Sequence, residues 1–320
     1  MNNDNISKIS VIDPIGEAID RVKEVLFNPF DLGKWFIIGF CAWLAMLGHG
    51  GGGGGGGFNY PDDTANAPAE LKAIVVEHLP LIITIAIPVL IIVIAIGIVC
   101  LWLSSRGKFM FLHCVAENKA EVKLPWHKFR NQGNSLFLFR LIVGIIAFVS
   151  IALFLGMMAV PIVLLARGSS YTAPALIAGI VLLALIAISL GIVFALILKF
   201  TEDFVVPIMY LRGYQCMDAW SEFRSLVAGN KGKFTLYILF QIVIAMAIGI
   251  IILALVCVTC CCAGCIMAIP YIGTVLLLPI LVFGRSYSLY YLAQYGRGYN
   301  VFVPTETTGE QVNLPPEPEQ

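Results

Sequence analysis

The stretch LPLIITIAIPVLIIVIAIGIVCLWL occupies residues 79–103 and contains no Asp, Glu, Lys or Arg. The hydrocarbon core of a lipid bilayer is about 30 Å thick, and roughly 20 consecutive apolar residues of α-helix cross it. This stretch is therefore long enough to be a transmembrane helix. Five more charge-free apolar segments lie around it, of which the first is the shortest: 35–48, 141–166, 173–198, 234–261 and 266–283. We therefore predict an all-α integral membrane helical bundle with six transmembrane helices.

The composition of the whole chain supports the same class. Hydrophobic residues make up 59% of the 320 residues and charged residues only 12%, whereas a soluble domain carries roughly 25% charged residues. The formal net charge is zero, which argues against the basic surplus that a nucleic-acid-binding domain normally shows. We expect membrane lipids as the main surroundings of the chain and no nucleic acid among its partners.

The basic residues predict the orientation in the membrane. Of the 20 Lys and Arg residues, 18 lie in the four segments 1–34, 104–140, 199–233 and 284–320. Because cytoplasmic loops accumulate Lys and Arg, these segments and both termini are predicted to be cytoplasmic. Two cytoplasmic termini require an even number of spans, so the short segment 35–48 is counted as the first span.

The resulting domain plan has three parts. Residues 1–34 form a cytoplasmic amphipathic segment, residues 35–295 form the six-span membrane domain, and residues 296–320 form a disordered cytoplasmic tail. Within the membrane domain, residues 49–78 are predicted to be a flexible outer loop, because they include eight consecutive glycines.

The six spans are arranged as three repeated hairpins in this prediction. A Trp-x-x-Phe-Arg element begins at Trp126 and again at Trp220, each time ahead of a span. The N-terminal segment matches these elements more loosely. The second span of each hairpin ends in a similar way, with the sequences RGKF at 106–109, TEDF at 201–204 and GRSY at 284–287. Each hairpin is therefore expected to follow one cytoplasmic amphipathic helix.

The aromatic residues of these elements, Trp126, Phe129, Trp220 and Phe223, are predicted to anchor the amphipathic helices at the membrane interface. The alternative is that these helices bind other membrane or cytoplasmic proteins.

At these residues the chain resembles a large group of uncharacterised bacterial multi-pass membrane proteins, similar to the membrane domain that precedes some glycerophosphodiester phosphodiesterases. The resemblance rests on the blocks DFVVPIM at 203–209 and 220–234 and on the six-span plan, and it covers most of residues 10–295. It implies a location in the bacterial inner membrane. It implies no activity, because the sequence contains no catalytic signature and no phosphodiesterase domain.

A cluster of cysteines near the end of the fifth span is a candidate metal site. On a continuous helix Cys257, Cys261 and Cys265 share one face. They are interpreted either as small apolar residues in helix packing, or as part of a disulfide in an oxidising compartment, or as thiolate ligands of zinc or copper(I). No cofactor is predicted, and no catalytic motif is present, so an enzyme is not expected.

Charged residues at equivalent positions of the hairpins form a second candidate site. If the repeats pack around a common axis, Glu202 or Asp203 is expected to pair with Arg285 or Arg106. These would be structural charge pairs at the cytoplasmic surface.

Three functional hypotheses follow. The first is a non-enzymatic scaffold or regulatory component of the membrane. The second is a transporter or channel for a lipid or a small solute, although charge-free spans argue against ion coupling. The third is a thiol- or metal-dependent redox protein. A polar or lipid-filled cavity between the hairpins would favour the second hypothesis.

Overall fold

The computed structural model describes residues 9–47, 79–166, 173–259 and 269–302, together with the single positions Gly264 and Met267. All the regular structure within these residues is helical, which confirms the all-α prediction. The helices are α1 (Asp13–Leu26), α2 (Leu32–Met46), α3 (Leu79–Glu117), α4 (Lys123–Lys128), α5 (Arg130–Ala166), α6 (Ala173–Phe200), α7 (Val206–Arg212), α8 (Cys216–Gly229), α9 (Lys231–Val258), α10 (Pro270–Leu276) and α11 (Leu278–Ala293). A π-helical turn, Thr201–Val205, joins α6 to α7, and a 3₁₀ turn, Arg297–Tyr299, follows α11. The predicted outer loop 49–78 lies outside the described residues.

In the part of the chain that the structure describes, four helical segments are long and apolar enough to cross a membrane: Thr84–Glu117, Arg130–Ala159, Ile177–Arg212 and Lys231–Val258. They contain the central parts of the predicted second to fifth spans. At 39 residues α3 is about 58 Å long, well beyond the thickness of a hydrocarbon core. The long helices therefore extend past the apolar layer.

The prediction for the first span is not confirmed. Helix α2 covers Leu32–Met46 rather than 35–48, and its 15 residues span about 22 Å. Asp31 caps it, because the carboxylate accepts a hydrogen bond from the backbone N–H of Gly33 at 2.8 Å. This cap starts the helix three residues earlier than hydropathy alone predicts, and the helix remains shorter than a full crossing.

The last predicted span, 266–283, is not confirmed as one continuous helix. The structure divides this region into α10 and α11, which meet at an angle of 64°. Pro279 stands in the first turn of α11, where its missing N–H is tolerated and where it prevents α10 from continuing. If the bent pair counts as one crossing, five helical segments can span a membrane.

The hydrophobic core lies at one end of the molecule, which we call the base. It is built from the residues that follow the second, fourth and last apolar segments, Phe109–Ala116, Phe204–Met209 and Tyr287–Leu292, with α1, α2 and α8 packed around them. Outside the base, the apolar side chains of the long helices are exposed, as Ile91 and Ile250 illustrate at 61% and 68%. Lipid is the surrounding in which such exposure carries no free-energy cost.

The amphipathic helices pack against the base. Helix α1 lies along α11, α4 lies against α3, and α8 contacts the π-helical turn and α7. Two equivalent ring stacks result from the Trp-x-x-Phe-Arg elements: Phe129 stacks on Phe109 at 5.8 Å and Phe223 stacks on Phe204 at 5.2 Å between ring centroids. The same sequence element thus makes the same contact in two parts of the chain.

The start of the predicted disordered tail also belongs to the base. Phe302 stacks on Tyr290 with a centroid distance of 4.2 Å, and Val301 is buried. The aromatic ring at 302 is too apolar to remain in solvent when a partner ring is within reach. Residues from 303 onward lie outside the described part of the chain.

Helices α2 and α3 approach each other closely at Gly107. A Cβ atom at this position would lie 2.6 Å from the backbone nitrogen of Ala45 and from the carbonyl carbon of Leu44. Small residues permit such backbone contacts between apolar helices. The position therefore requires glycine for reasons of space.

We predict that Gly107→Ala lowers the stability of the purified protein in detergent by about 1–3 kcal/mol, because α2 must move away from α3. Gly97→Ala is the matched control, since it lies in the same helix with nothing within 4 Å of an added Cβ. The control should leave stability unchanged or raise it by up to about 1 kcal/mol. Equal thermal unfolding temperatures for the two variants would contradict the close packing of α2 on α3.

Candidate functional site

A cavity of about 390 Å³ lies between the helices where the base meets the apolar layer. Its walls are mostly apolar, and its polar groups are concentrated in one set of charged residues. The apolar wall includes Ala42, Ala45, Met46, Phe111, Ile248, Ile280 and Leu281, and the charged residues are Lys108, Lys199, Glu202, Asp203 and Arg285. Helices α2, α3, α6, α9 and α11 and the π-helical turn thus all contribute to one site.

The π-helical turn positions the two carboxylates and releases a backbone acceptor. In this turn the N–H of Val206 donates to the carbonyl oxygen of Thr201 and not to that of Glu202. The next residue, Pro207, has no N–H, so the Glu202 carbonyl receives no helical hydrogen bond from either residue. Arg285 satisfies it, since Nη1 donates to this oxygen at 2.6 Å. The sequence Glu202 to Pro207 therefore creates the acceptor that holds α11 against the turn.

Two ion pairs neutralise the carboxylates. Lys108 Nζ lies 2.8 Å from Glu202 Oε2, and Lys199 Nζ lies 3.0 Å from Asp203 Oδ2. Asp203 also accepts a hydrogen bond of 2.9 Å from the Tyr237 hydroxyl, to which the Gln241 amide donates at 2.8 Å. These contacts connect α3, α6 and α9 through charged and polar groups, in surroundings where an unpaired charge is costly.

Positive charge exceeds negative charge in this region of the described chain. Arg140 lies beside the cavity, where it attracts Glu202 and donates to the hydroxyls of Ser104 and Ser105 at 3.1 and 3.3 Å. With Lys108, Lys199 and Arg285 it makes four cations against two carboxylates. Arg285 is only 8% exposed, yet its Nε and Nη2 atoms have no hydrogen-bond partner. The arrangement can attract an anionic group.

Three of the four charged residues that the sequence singled out come together here. Glu202, Asp203 and Arg285 all line the cavity. The carboxylates make their close ion pairs with Lys108 and Lys199, whereas Arg285 donates to the backbone carbonyl of Glu202 and also interacts electrostatically with both carboxylates.

Arg106 lies in another environment. Its guanidinium sits over the rings of Trp102 and Trp126, at 4.3 and 4.9 Å from their centroids, and Nη2 donates to Asn134 at 3.0 Å. Cation–π contacts of this kind hold a guanidinium without any carboxylate. Arg106 therefore joins α3 to α4 and α5 within the base.

The predicted interface anchors divide into two groups. Phe129 and Phe223 are 5% and 1% exposed, so they pack inside the protein and do not face lipid headgroups, which corrects the prediction for both. Trp126 and Trp220 remain half-buried, next to Arg106 and Phe139 respectively. Their role at the membrane interface stays a prediction.

The cysteine cluster lies mostly outside the described residues. Of its members the structure describes Cys257, which is an exposed free thiol near the end of α9. Among the described residues no group of three or more His, Cys, Asp or Glu side chains could hold a metal ion. Burial raises the pKa of the Cys216 thiol to about 12, so this cysteine stays protonated at neutral pH. Cys41 and Cys114, far apart in sequence, bring their sulfur atoms to 3.8 Å as free thiols.

The sequence did not predict three residues of the site, Arg140, Lys199 and Tyr237. It also did not predict that Lys108 forms an ion pair. Arg140 and Lys199 stand immediately next to the apolar segments, where the limits drawn from hydropathy excluded them. A usable signal was present in Gln241, the only strongly polar amide inside the predicted spans, because a buried amide requires hydrogen-bond partners. Tyr237, one turn earlier on the same helix face, is that partner.

A family model described as a family of unknown function (DUF7544) matches residues 9–303, which is most of the chain and includes every described helix. No curated protein and no solved structure matches the chain.

We predict that Glu202→Gln destabilises the protein by about 1–3 kcal/mol, because it leaves the buried Lys108 ammonium without its counter-charge. The double variant Lys108→Met with Glu202→Gln should recover most of this loss, because it removes both charges. Asp20→Asn is the control, since its pair with Lys23 is exposed and should contribute less than about 1 kcal/mol. The measurement is thermal unfolding in detergent. A Glu202→Gln variant that unfolds together with Asp20→Asn would show that the pair is not buried as described.

Proposed function

Because the chain belongs to this family of unknown function (DUF7544), we propose its function from the cavity alone: the protein binds an amphipathic membrane lipid between its helices. Such a lipid would place its headgroup against the charged residues and its hydrocarbon chain along the apolar wall. This is the lipid branch of the second hypothesis drawn from the sequence, a transporter or channel for a lipid or a small solute.

The observation that carries the proposal is the polarity of the cavity. Charged groups from α3, α6 and α11 stand together, and the remaining lining is almost entirely apolar. A soluble polar solute would leave the apolar wall without a partner, and a pure hydrocarbon would leave the charges unsolvated. A molecule with a polar head and an apolar chain matches both parts.

The position of the cavity gives such a ligand access from the bilayer. Helix α9 forms one wall through Gln241 and Ile248, while its neighbouring residues Ile242 and Ile250 are exposed on the outside. A single helix thus separates the cavity from surrounding lipid. Tyr237 of α9 is buried in the base. Later in the same helix, apolar residues such as Met246 and Ile250 are exposed.

The scaffold hypothesis has less support from the contacts. Two aromatic residues of the Trp-x-x-Phe-Arg elements, Phe129 and Phe223, are buried against the chain itself and so are not available to a partner. The thiol or metal hypothesis rests on cysteines that lie largely outside the described residues.

We also propose the topology predicted from the sequence: six spans in three hairpins, both termini in the cytoplasm, and a location in the bacterial inner membrane. The two equivalent phenylalanine stacks support a repeated unit. The contact of α1 with α11 supports a closed ring of three units, because the first amphipathic helix then covers the end of the last hairpin. A relationship to the membrane domain of glycerophosphodiester phosphodiesterases rests on the sequence blocks alone.

We predict that Gly284→Leu removes bound lipid without lowering stability. Gly284 lines the cavity, and an added Cβ meets nothing within 4 Å, so the leucine side chain fills space that a ligand would use. Lipid retained by the purified protein should fall at least fivefold, measured by native mass spectrometry or by extraction and lipid analysis.

Gly144→Leu provides the matched control for this substitution. Gly144 lies in α5, which contributes no lining residue, and its surroundings are equally open. This variant should retain lipid at the wild-type level. If Gly284→Leu and Gly144→Leu retain the same amount of lipid, the cavity is not the binding site and the proposed function is wrong.

A further inference from the structure

We infer that the cavity selects a lipid whose headgroup carries a negatively charged phosphate, and that Arg285 is the residue that binds it. This inference rests on the proposed function and adds the chemical class of the ligand. Two observations support it. Arg285 has hydrogen-bond donors without a partner, and positive charge exceeds negative charge around the cavity.

The guanidinium of Arg285 has a free bidentate edge. Its Nη1 atom is engaged by the Glu202 carbonyl at 2.6 Å, while Nε and Nη2 are buried without partners. In a guanidinium the N–H bonds of Nε and Nη2 lie side by side on one edge, the geometry that grips two oxygen atoms of a carboxylate or phosphate. Arg285 lines the cavity, so a turn of its side chain brings this buried edge to a ligand there.

The fixed position of the guanidinium strengthens this assignment. The Glu202 carbonyl accepts from Nη1 and so holds the arginine from one side. A donor that is held in place loses less conformational entropy when a ligand binds. The guanidinium is therefore partly oriented before a ligand arrives, in contrast to a lysine whose ammonium can turn toward several acceptors.

The charge balance calls for an anion. The four cations at and beside the cavity exceed the carboxylates by two, and Lys108 and Arg285 are both nearly inaccessible to solvent. A phosphate monoester carries up to two negative charges and has three terminal oxygen atoms. It can therefore occupy the Arg285 edge and still accept from a lysine, whereas a carboxylate offers two oxygens and one charge.

The experiment compares two lipids that differ only in the phosphate. The purified full-length protein is exposed in detergent to phosphatidic acid and to diacylglycerol with the same acyl chains, and bound lipid is measured by native mass spectrometry. We expect at least tenfold more phosphatidic acid than diacylglycerol on the wild-type protein. In Arg285→Gln the ratio should fall below threefold, and in Arg285→Lys it should be intermediate. Equal binding of the two lipids by the wild-type protein would overturn the inference.

A second pair of variants tests the charge surplus even where Arg285→Gln does not fold. Gly284→Glu introduces a carboxylate at the open lining position, and Gly284→Gln introduces a neutral side chain of the same size. If the surplus is real, the glutamate variant unfolds at a temperature equal to or higher than that of the glutamine variant, and it excludes phosphatidic acid. A glutamate variant that unfolds at a clearly lower temperature would overturn the inference, because it would mean that the site repels an anion.

Two further arms identify the source of the anion. Inorganic phosphate alone should shift the unfolding temperature by less than a third of the shift caused by phosphatidic acid, since it lacks the hydrocarbon chain. A larger effect of inorganic phosphate, or a fatty acid bound as strongly as phosphatidic acid, would overturn the assignment to a lipid phosphate. Either outcome would affect only the assignment to a lipid phosphate. The proposed function would still hold if Gly284→Leu displaces lipid. Lipid retention unchanged in that variant makes the proposed function itself wrong.

Discussion

The hydrogen bond from Arg285 to the Glu202 carbonyl connects the two parts of the chain that enclose the cavity. A carbonyl without a donor inside an apolar protein has a free-energy cost comparable to that of a lost hydrogen bond. The π-helical turn and Pro207 create this requirement after α6, and α11 fulfils it from another part of the chain. The ion pairs of Lys108 and Lys199 then fix the carboxylates on either side. This junction thus brings α11 and the charged residues of the cavity together.

The long apolar helices were predictable because a crossing helix must be apolar on all sides for about 20 residues. Residues 79–103 and 173–198 satisfy this condition with no competing signal. The shorter segments were harder. Hydropathy along 266–283 is uniformly high, yet the chain divides into α10 and α11 just before Pro279, and the bent pair packs against α2. The limits of 35–48 were missed because the Asp31 cap, and not hydropathy, fixes the start of α2.

The site was partly predictable from the similar sequences that end three of the predicted spans. These similarities led us to expect Glu202, Asp203 and Arg285 near one another, and all three line the cavity. They did not identify the partners, because side-chain direction changes by about 100° per residue along a helix. Arg106 and Lys108 are two positions apart and so point to opposite sides of α3. Arg106 lies over tryptophan rings, and Lys108 reaches Glu202. Sequence spacing alone leaves this choice open.

The contrast between the packed base and the exposed helices above it has a consequence for ligand binding. The base holds the charged residues in fixed positions through buried rings such as Phe204 and Tyr237. The apolar side chains of α3 and α9 outside the base are largely exposed, so they contribute little to the core. Under the proposed function a lipid enters from this side, while its headgroup meets the packed base. Specificity would reside in the base and access in the membrane-facing helices, which explains why the charged residues stand at the boundary between the two.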